Sequence, residues 1–273
     1  MNLSRRTLIQ ALGAGAMLPI AASLARAQAE PQLPLRTTGI EHIGLTVPDT
    51  ERSARFYGPI FNPEIHREKE PPPRFYVTTG VGYIAVGGTA GAGPHVDHFC
   101  ALVEGYRPQE MRKSLEAAGL TPGRFGMIDD PDGLRLQLLG TPGGLAASTE
   151  PAGRIADEPA AVQPIGLDHV VLLVSGLERS VAHYRHFFGA ESPRTAGSTR
   201  VWFRVANTRL GLEAAAGREP RVDHFCINVA RFDRGAVTDR LAALGGTVVP
   251  ADDEEGVLRF RDPDGILVEL KQA

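Results

Sequence analysis

A five-residue string, Val-Asp-His-Phe-Cys, occurs at 96–100 and again at 222–226, 126 residues on. Two further markers keep nearly the same interval. Glu41-His42-Ile43 matches Asp168-His169-Val170, 127 residues on, and Asp130-Pro131-Asp132-Gly133 matches Asp262-Pro263-Asp264-Gly265, 132 residues on. Three markers at near-constant spacing are the mark of an internal duplication, and they restrict the fold to two copies of one unit. The copies span 39–140 and 165–273, each long enough to bury a core of its own. Between them, residues 141–164 (TPGGLAASTEPAGRIADEPAAVQP) are rich in Ala, Pro and Gly, lack apolar periodicity and read as a linker.

Each half repeats again. His42, His98, His169 and His224 each open an apolar strand: HIGLTV, HFCALV, HVVLLV and HFCINV. Each strand precedes a segment with apolar residues near helical spacing, at 51–61, 109–118, 177–188 and 233–244. Short strands follow, with turn signals at Ala206-Asn207-Thr208 and at both Asp-Pro-Asp-Gly sites. The unit is therefore β-α-β-β-β, used four times, which makes the class α+β.

This pattern resembles the vicinal oxygen chelate (VOC) superfamily of glyoxalases, extradiol dioxygenases, fosfomycin and bleomycin resistance proteins and methylmalonyl-CoA epimerases. The residues that carry the likeness are the strand-opening acid-His pairs and the DPDG…VEL ending at 262–270. The resemblance implies four βαβββ modules paired into two cupped mixed sheets with helices outside. It also implies an active site inside a cup.

Strand side chains alternate between faces. In DHVVLLV, His169 shares a face with Val171 and Leu173; in DHFCINV, His224 shares one with Cys226; in ILVEL, Glu269 lies opposite Val268 and Leu270. His169, His224 and Glu269 can thus point into one cup from three strands. Two imidazoles and a carboxylate with open positions suit non-haem Fe(II) first, and also Zn, Mn or Ni. Glu213 lies 44 residues after His169, as Glu269 lies 45 after His224, so it is a fourth metal candidate and the candidate carboxylate base. With Glu213 the set resembles that of bacterial-type glyoxalases; without it, that of extradiol dioxygenases. The latter resemblance implies a further His and Tyr before the last ligand. The stretch PADDEEGVLRFRDPDG holds neither, and Arg259 stands where the Tyr is expected.

The first half offers the weaker equivalents His42, His98 and Gln137. A neutral amide replaces the carboxylate, Arg135 shares its face, and Val86 sits where Glu213 does in the other half. This half reads as a structural or ligand-binding domain. Cys100 and Cys226 occupy repeat-equivalent cup positions, so two free thiols are expected rather than a disulfide. One of Trp202 and Phe203 should face the second cup, His183 and His186 read as surface or packing residues, and His95 reads as either a support to the site ligands or an exposed residue.

Residues 1–29 carry Arg5, Arg6 and Arg26 and no acid, an apolar stretch from Leu8 to Leu24, and A-x-A sites ending at Ala27 and Ala29. Ser4-Arg5-Arg6-Thr7-Leu8-Ile9 resembles a twin-arginine signal. That implies engagement of the twin-arginine translocase, periplasmic or extracellular delivery, and no stable membrane span after cleavage. Net charge is −3 and no Lys/Arg block is present, which argues against nucleic acid as a partner. The expected partner is a small oxygenated substrate or ligand. The expected function is divalent-metal chemistry of the glyoxalase or dioxygenase type, acting on vicinal oxygens. The alternative from another class is a non-catalytic binding protein that sequesters its ligand.

Overall fold

The computed structural model describes residues 33–71, 73–88, 91–194, 197–250 and 256–273. The expected signal segment 1–29 lies outside the described residues. No described helix is long and apolar enough to cross a membrane.

The first module runs β1 (Thr37–Thr46), α1 (Thr50–Phe61), β2 (Glu64–Glu68), β3 (Phe75–Thr78) and β4 (Tyr83–Gly87). The second runs β5 (His95–Val103), α2 (Pro108–Ala117), β6 (Met127–Asp129) and β7 (Arg135–Gly140). After β8 (Thr149–Arg154), the third runs β9 (Pro164–Val174), α3 (Leu177–Phe188), β10 (Val201–Val205) and β11 (Thr208–Ala214). The fourth runs β12 (Arg221–Val229), α4 (Arg234–Ala243), β13 (Thr247–Val249), β14 (Val257–Arg261) and β15 (Leu267–Gln272). The first and fourth modules are full βαβββ units. The second and third show two strands after the helix among the described residues. Pro122 and Pro193 stand in the stretches where the missing strand would run, and Pro cannot donate to a strand ladder.

Two mixed sheets result, ordered β6-β7-β5-β1-β4-β3-β2-β8 and β10-β11-β9-β12-β15-β14-β13. In each, the leading strands of two modules pair antiparallel at the centre, β1 with β5 and β9 with β12. This is the two-cup α+β architecture expected. Residues 149–154, inside the stretch read as a linker, instead form β8, an edge strand on β2 with His66 opposite Pro151. Its alternation is too weak to read, because an edge strand with both faces partly wet needs no apolar pattern.

Alternation sorts each central strand into two faces. Ile43, Leu45, Phe99, Leu136, Val170, Leu172, Phe225 and Val268 face a single apolar core that continues through both halves. The intervening residues face the cups. The halves also clasp each other reciprocally through the Asp-Pro-Asp-Gly turns. Tyr57 on α1 donates its hydroxyl to Asp262 of the other half at 2.7 Å, and Tyr184 on α3 donates to Asp130 at 3.3 Å. Asp264 takes Ser53 and Arg52, while Asp132 takes the Ser175 backbone N–H and Arg179. The turns therefore hold the two halves together as well as closing hairpins.

Candidate metal centre

Each of the four strand-opening His residues follows an acid. On a regular strand, neighbours point to opposite faces. Here the partner register skips the acid each time: Cys226 pairs with His169 and Ile227 with Leu167, leaving Asp168 as the extra residue, and Asp223 is skipped likewise. Glu41 and Asp97 occupy the same place in the first half. Such β-bulges re-aim side chains. They turn acid and imidazole towards each other, with Nδ1 to carboxylate distances of 2.6 Å for Asp168–His169 and 3.0 Å for Asp223–His224. An imidazole that donates its Nδ1–H this way has a fixed tautomer, with the Nε2 lone pair directed into the cup.

In the second cup, His169, His224 and Glu269 converge, with donor atoms within 4.8 Å of one another. His169 Nε2 lies 3.6 Å from Glu269 Oε1. The Nε2 atoms of His169 and His224 are buried and have no hydrogen-bond partner. Two buried, unpartnered lone pairs beside a carboxylate that is 3% exposed are costly unless something cationic sits among them. The residues fit a divalent ion.

The electrostatics agree. Burial depresses the basicity of His169, favouring the neutral, ligating imidazole. Burial works against ionisation of Asp168, but hydrogen bonds from His169 and Arg209 outweigh it and hold the carboxyl well below its usual range. Asp223 and Glu269 are held low in the same way, by His224 and Arg221 and by Arg259 and His169 respectively. Arg259 sits opposite Glu269 in the ladder and donates to Oε2 at 2.5 Å, leaving Oε1 towards the imidazoles. Trp202 faces this cup edge-on to His169, 5.3 Å between ring centres, with Arg209 over its ring at 4.7 Å; Phe203 packs inward on Tyr184 and Phe188. Cys226 is buried and burial pushes its thiol up, so it stays protonated near neutrality; Cys100 behaves alike, and both are free.

Glu213 does not join the cluster. It lies opposite Leu173 and is bound by Arg200 at 3.0 Å. The position that mirrors Glu269 is Gly211. Glu269 stands beside the residue two after His224, and Gly211 stands beside the residue two after His169. Equal intervals misplace the ligand because the path from His169 to its mirror position is 42 residues, against 45 from His224 to Glu269. In the first half the mirror position is Ala85, beside Gly44; Val86 turns into the core.

The first cup repeats the acid-His pairs, with Asp97–His98 at 2.9 Å and Glu41–His42 at 3.1 Å. Gln137 changes what they can do. Its Oε1 lies 3.0 Å from His42 Nε2, and its Nε2 donates to the Phe125 carbonyl at 2.9 Å. With its N–H given to Phe125, the amide oxygen can only accept, so this contact needs the His42 proton on Nε2, unlike the Nδ1–H tautomer of the second cup. No carboxylate stands where Glu269 does. Arg135 pairs with Asp97 at 2.9 Å. His95 lies near the backbone of Gly93, and His183 packs on Tyr184 and Phe187; neither enters a metal-capable cluster among the described residues. The bulged acids Asp168 and Asp223 are the site residues that strand alternation alone does not find. The recurring acid-His dipeptide was their signal.

The sequence model of the "Glyoxalase/Bleomycin resistance protein/Dioxygenase superfamily" matches residues 166–270. A metallothiol transferase, FosB of Shouchella clausii (strain KSM-K16), is 27% identical over 119 residues, covering 38% of this chain and 78% of that protein. Among solved structures, the 2,3-dioxygenase LapB from Pseudomonas sp. KL28 superposes with a TM-score of 0.63 at 14% identity, covering 88% of this chain and 93% of LapB. The Mn(II)-bound glyoxalase from Novosphingobium aromaticivorans gives 0.61 at 18% identity, covering 87% and 83%. These structural likenesses are likenesses of fold. The span that matches the superfamily model lies on β9 to β15 and contains all three convergent donors.

Proposed function

We propose that this protein is a divalent-metal-dependent enzyme whose second cup holds one ion through His169, His224 and Glu269 and acts on a small oxygenated molecule. The single observation that carries the reading is the pair of buried, unpartnered Nε2 atoms beside the Glu269 carboxylate. Two imidazoles and one carboxylate favour Fe(II), with Zn, Mn and Ni as alternatives. When bound, such an ion supplies Lewis-acid stabilisation of negative charge on vicinal substrate oxygens.

The chain's own residues do the rest. Asp168 and Asp223 hold the Nδ1 protons and fix both rings. Arg259 holds one oxygen of Glu269 and frees the other for the centre. Trp202 and the hydrophobic Val171 give one side of the site an apolar wall. Glu213 is tied to Arg200 and is not assigned the base role. We further propose that residues 1–29 send the chain out of the cytoplasm as a twin-arginine signal and are then cleaved.

Metal content of the purified protein tests the reading. Near one equivalent is expected in the wild type and trace amounts in Glu269→Ala. Trace metal in both supports a ligand-sequestering protein instead. Oxygen uptake with a panel of catechols separates dioxygenase chemistry from isomerase or lyase chemistry.

A further inference from the structure

The first cup is not simply an emptied copy of the second. It encloses a cavity of about 970 Å³ lined by Tyr76, Tyr83, Arg74, Arg124 and Phe125, together with the His42, His98 and Gln137 group. Tyr83 stacks flat on His42, 4.4 Å between ring centres at 14°, and Tyr76 meets Tyr83 edge-on. Tyr76, Tyr83 and Ala85, with Leu145, form an apolar patch separate from the main core. Such a patch on the floor of a cavity is surface offered to an apolar ligand.

Three Arg and three acids line the cavity, Arg74, Arg124 and Arg135 with Glu68, Asp97 and Asp129. Arg135 is taken by Asp97 and Asp129, and Glu68 accepts from the Tyr76 hydroxyl, which also meets Arg74. Arg74 and Arg124 form no ion pair with a described acid. Arg124 lies over the Phe125 ring at 5.2 Å. Phe125 itself is unusual: 75% exposed, and in the left-handed backbone region at φ 55°. A strained, exposed aromatic at a cavity mouth has nothing in the chain that repays its conformation, so its reason is sought in function. Its carbonyl is anchored by Gln137, the residue that stands in place of the metal carboxylate. The amide that replaces the carboxylate therefore also binds the backbone of Phe125.

We propose that the first cup is a separate, metal-independent binding site for a flat organic anion. Tyr76 and Tyr83 contact its apolar body, Arg74 and Arg124 its charge, and Phe125 covers it at the mouth. The site is independent of whether the second cup binds metal.

The probe is 8-anilinonaphthalene-1-sulfonate, with neutral N-phenyl-1-naphthylamine as its uncharged counterpart, added to the full chain. The expected result is saturable binding of one sulfonate per chain, with the neutral dye at least about tenfold weaker. The double variant Arg74→Glu/Arg124→Glu, at exposed positions, should weaken sulfonate binding at least about tenfold while keeping wild-type metal content and circular dichroism. That retention separates a failed ligand site from a failed fold or a failed metal reading. Phe125→Ala should weaken binding severalfold; Glu269→Ala and Arg204→Glu, in the other half, should leave it unchanged. No saturable binding, binding indifferent to the charge reversal, or equal loss in Arg204→Glu overturns the proposal.

Discussion

The two cups are built on one plan and diverge at one position. Both bring two strand-opening imidazoles to the centre of a sheet, and both set a bulged acid beside each Nδ1. On the neighbouring strand the second cup places Glu269 and the first places Gln137. With the carboxylate, the imidazole Nε2 atoms are left bare and aimed at a common point. With the amide, an oxygen stands 3.0 Å from His42 Nε2 and the amide N–H is given to the Phe125 carbonyl. The comparison teaches that, in a duplicated fold, one acceptor-to-amide exchange changes both what a centre can bind and how its entrance is arranged.

The largest effect is expected where that comparison is erased. Glu269→Gln copies the first cup into the second. It removes the only carboxylate ligand, so metal affinity should fall by more than the ~10–100-fold that loss of an outer partner costs. Isothermal titration with Mn(II) or Zn(II) reads it, and unchanged affinity breaks the comparison. The converse, Gln137→Glu, should add a second and weaker metal equivalent, weaker because the new carboxylate faces the Phe125 carbonyl that the amide now serves. A stoichiometry that stays at one shows that the cups differ in more than this residue.

Next in size, Asp168→Asn should lower metal affinity by about 10–100-fold by loosening the tautomer of His169, while Asp97→Asn in the first half should leave metal content unchanged. The smallest effects concern the clasp between halves. Tyr57→Phe should cost roughly 1.5 kcal/mol and Tyr184→Phe roughly 0.5–1 kcal/mol, following the shorter bond of Tyr57, as read by urea unfolding. Both phenols are pushed well above 10.0, first by burial and then by the neighbouring Asp. Above pH 10 the unfolded chain therefore releases these protons while the folded chain keeps them, so stability is full below that value and falls as pH rises beyond it. Tyr57→Phe should flatten this alkaline loss; an unaltered slope places the titrating groups elsewhere.

Much of this was legible in the sequence because duplication repeats its constraints. Val-Asp-His-Phe-Cys appears twice since both copies keep the same bulged acid, strand-opening imidazole and small buried thiol on one strand. Period-two alternation sufficed to bring His169, His224 and Glu269 to one face. Glu213 was misplaced because alternation carries phase but not register, and the loops before β11 and β15 differ in length. Asp168 and Asp223 escaped the reading because alternation puts them on the far face, and only the bulge reverses that. The β8 strand escaped because its pairing comes from β2 and not from an apolar pattern of its own. The clasp escaped because turn chemistry accounts for Asp-Pro-Asp-Gly without any partner, and no local pattern links Tyr57 or Tyr184 to an acid of the other half.

The most direct test is anomalous X-ray diffraction, at the metal edge, from crystals of the full chain grown with Mn(II) or anaerobic Fe(II). The account predicts one strong peak within bonding distance of His169 Nε2, His224 Nε2 and a Glu269 oxygen, and none between His42 and His98. A peak in the first cup, or none in the second, contradicts it.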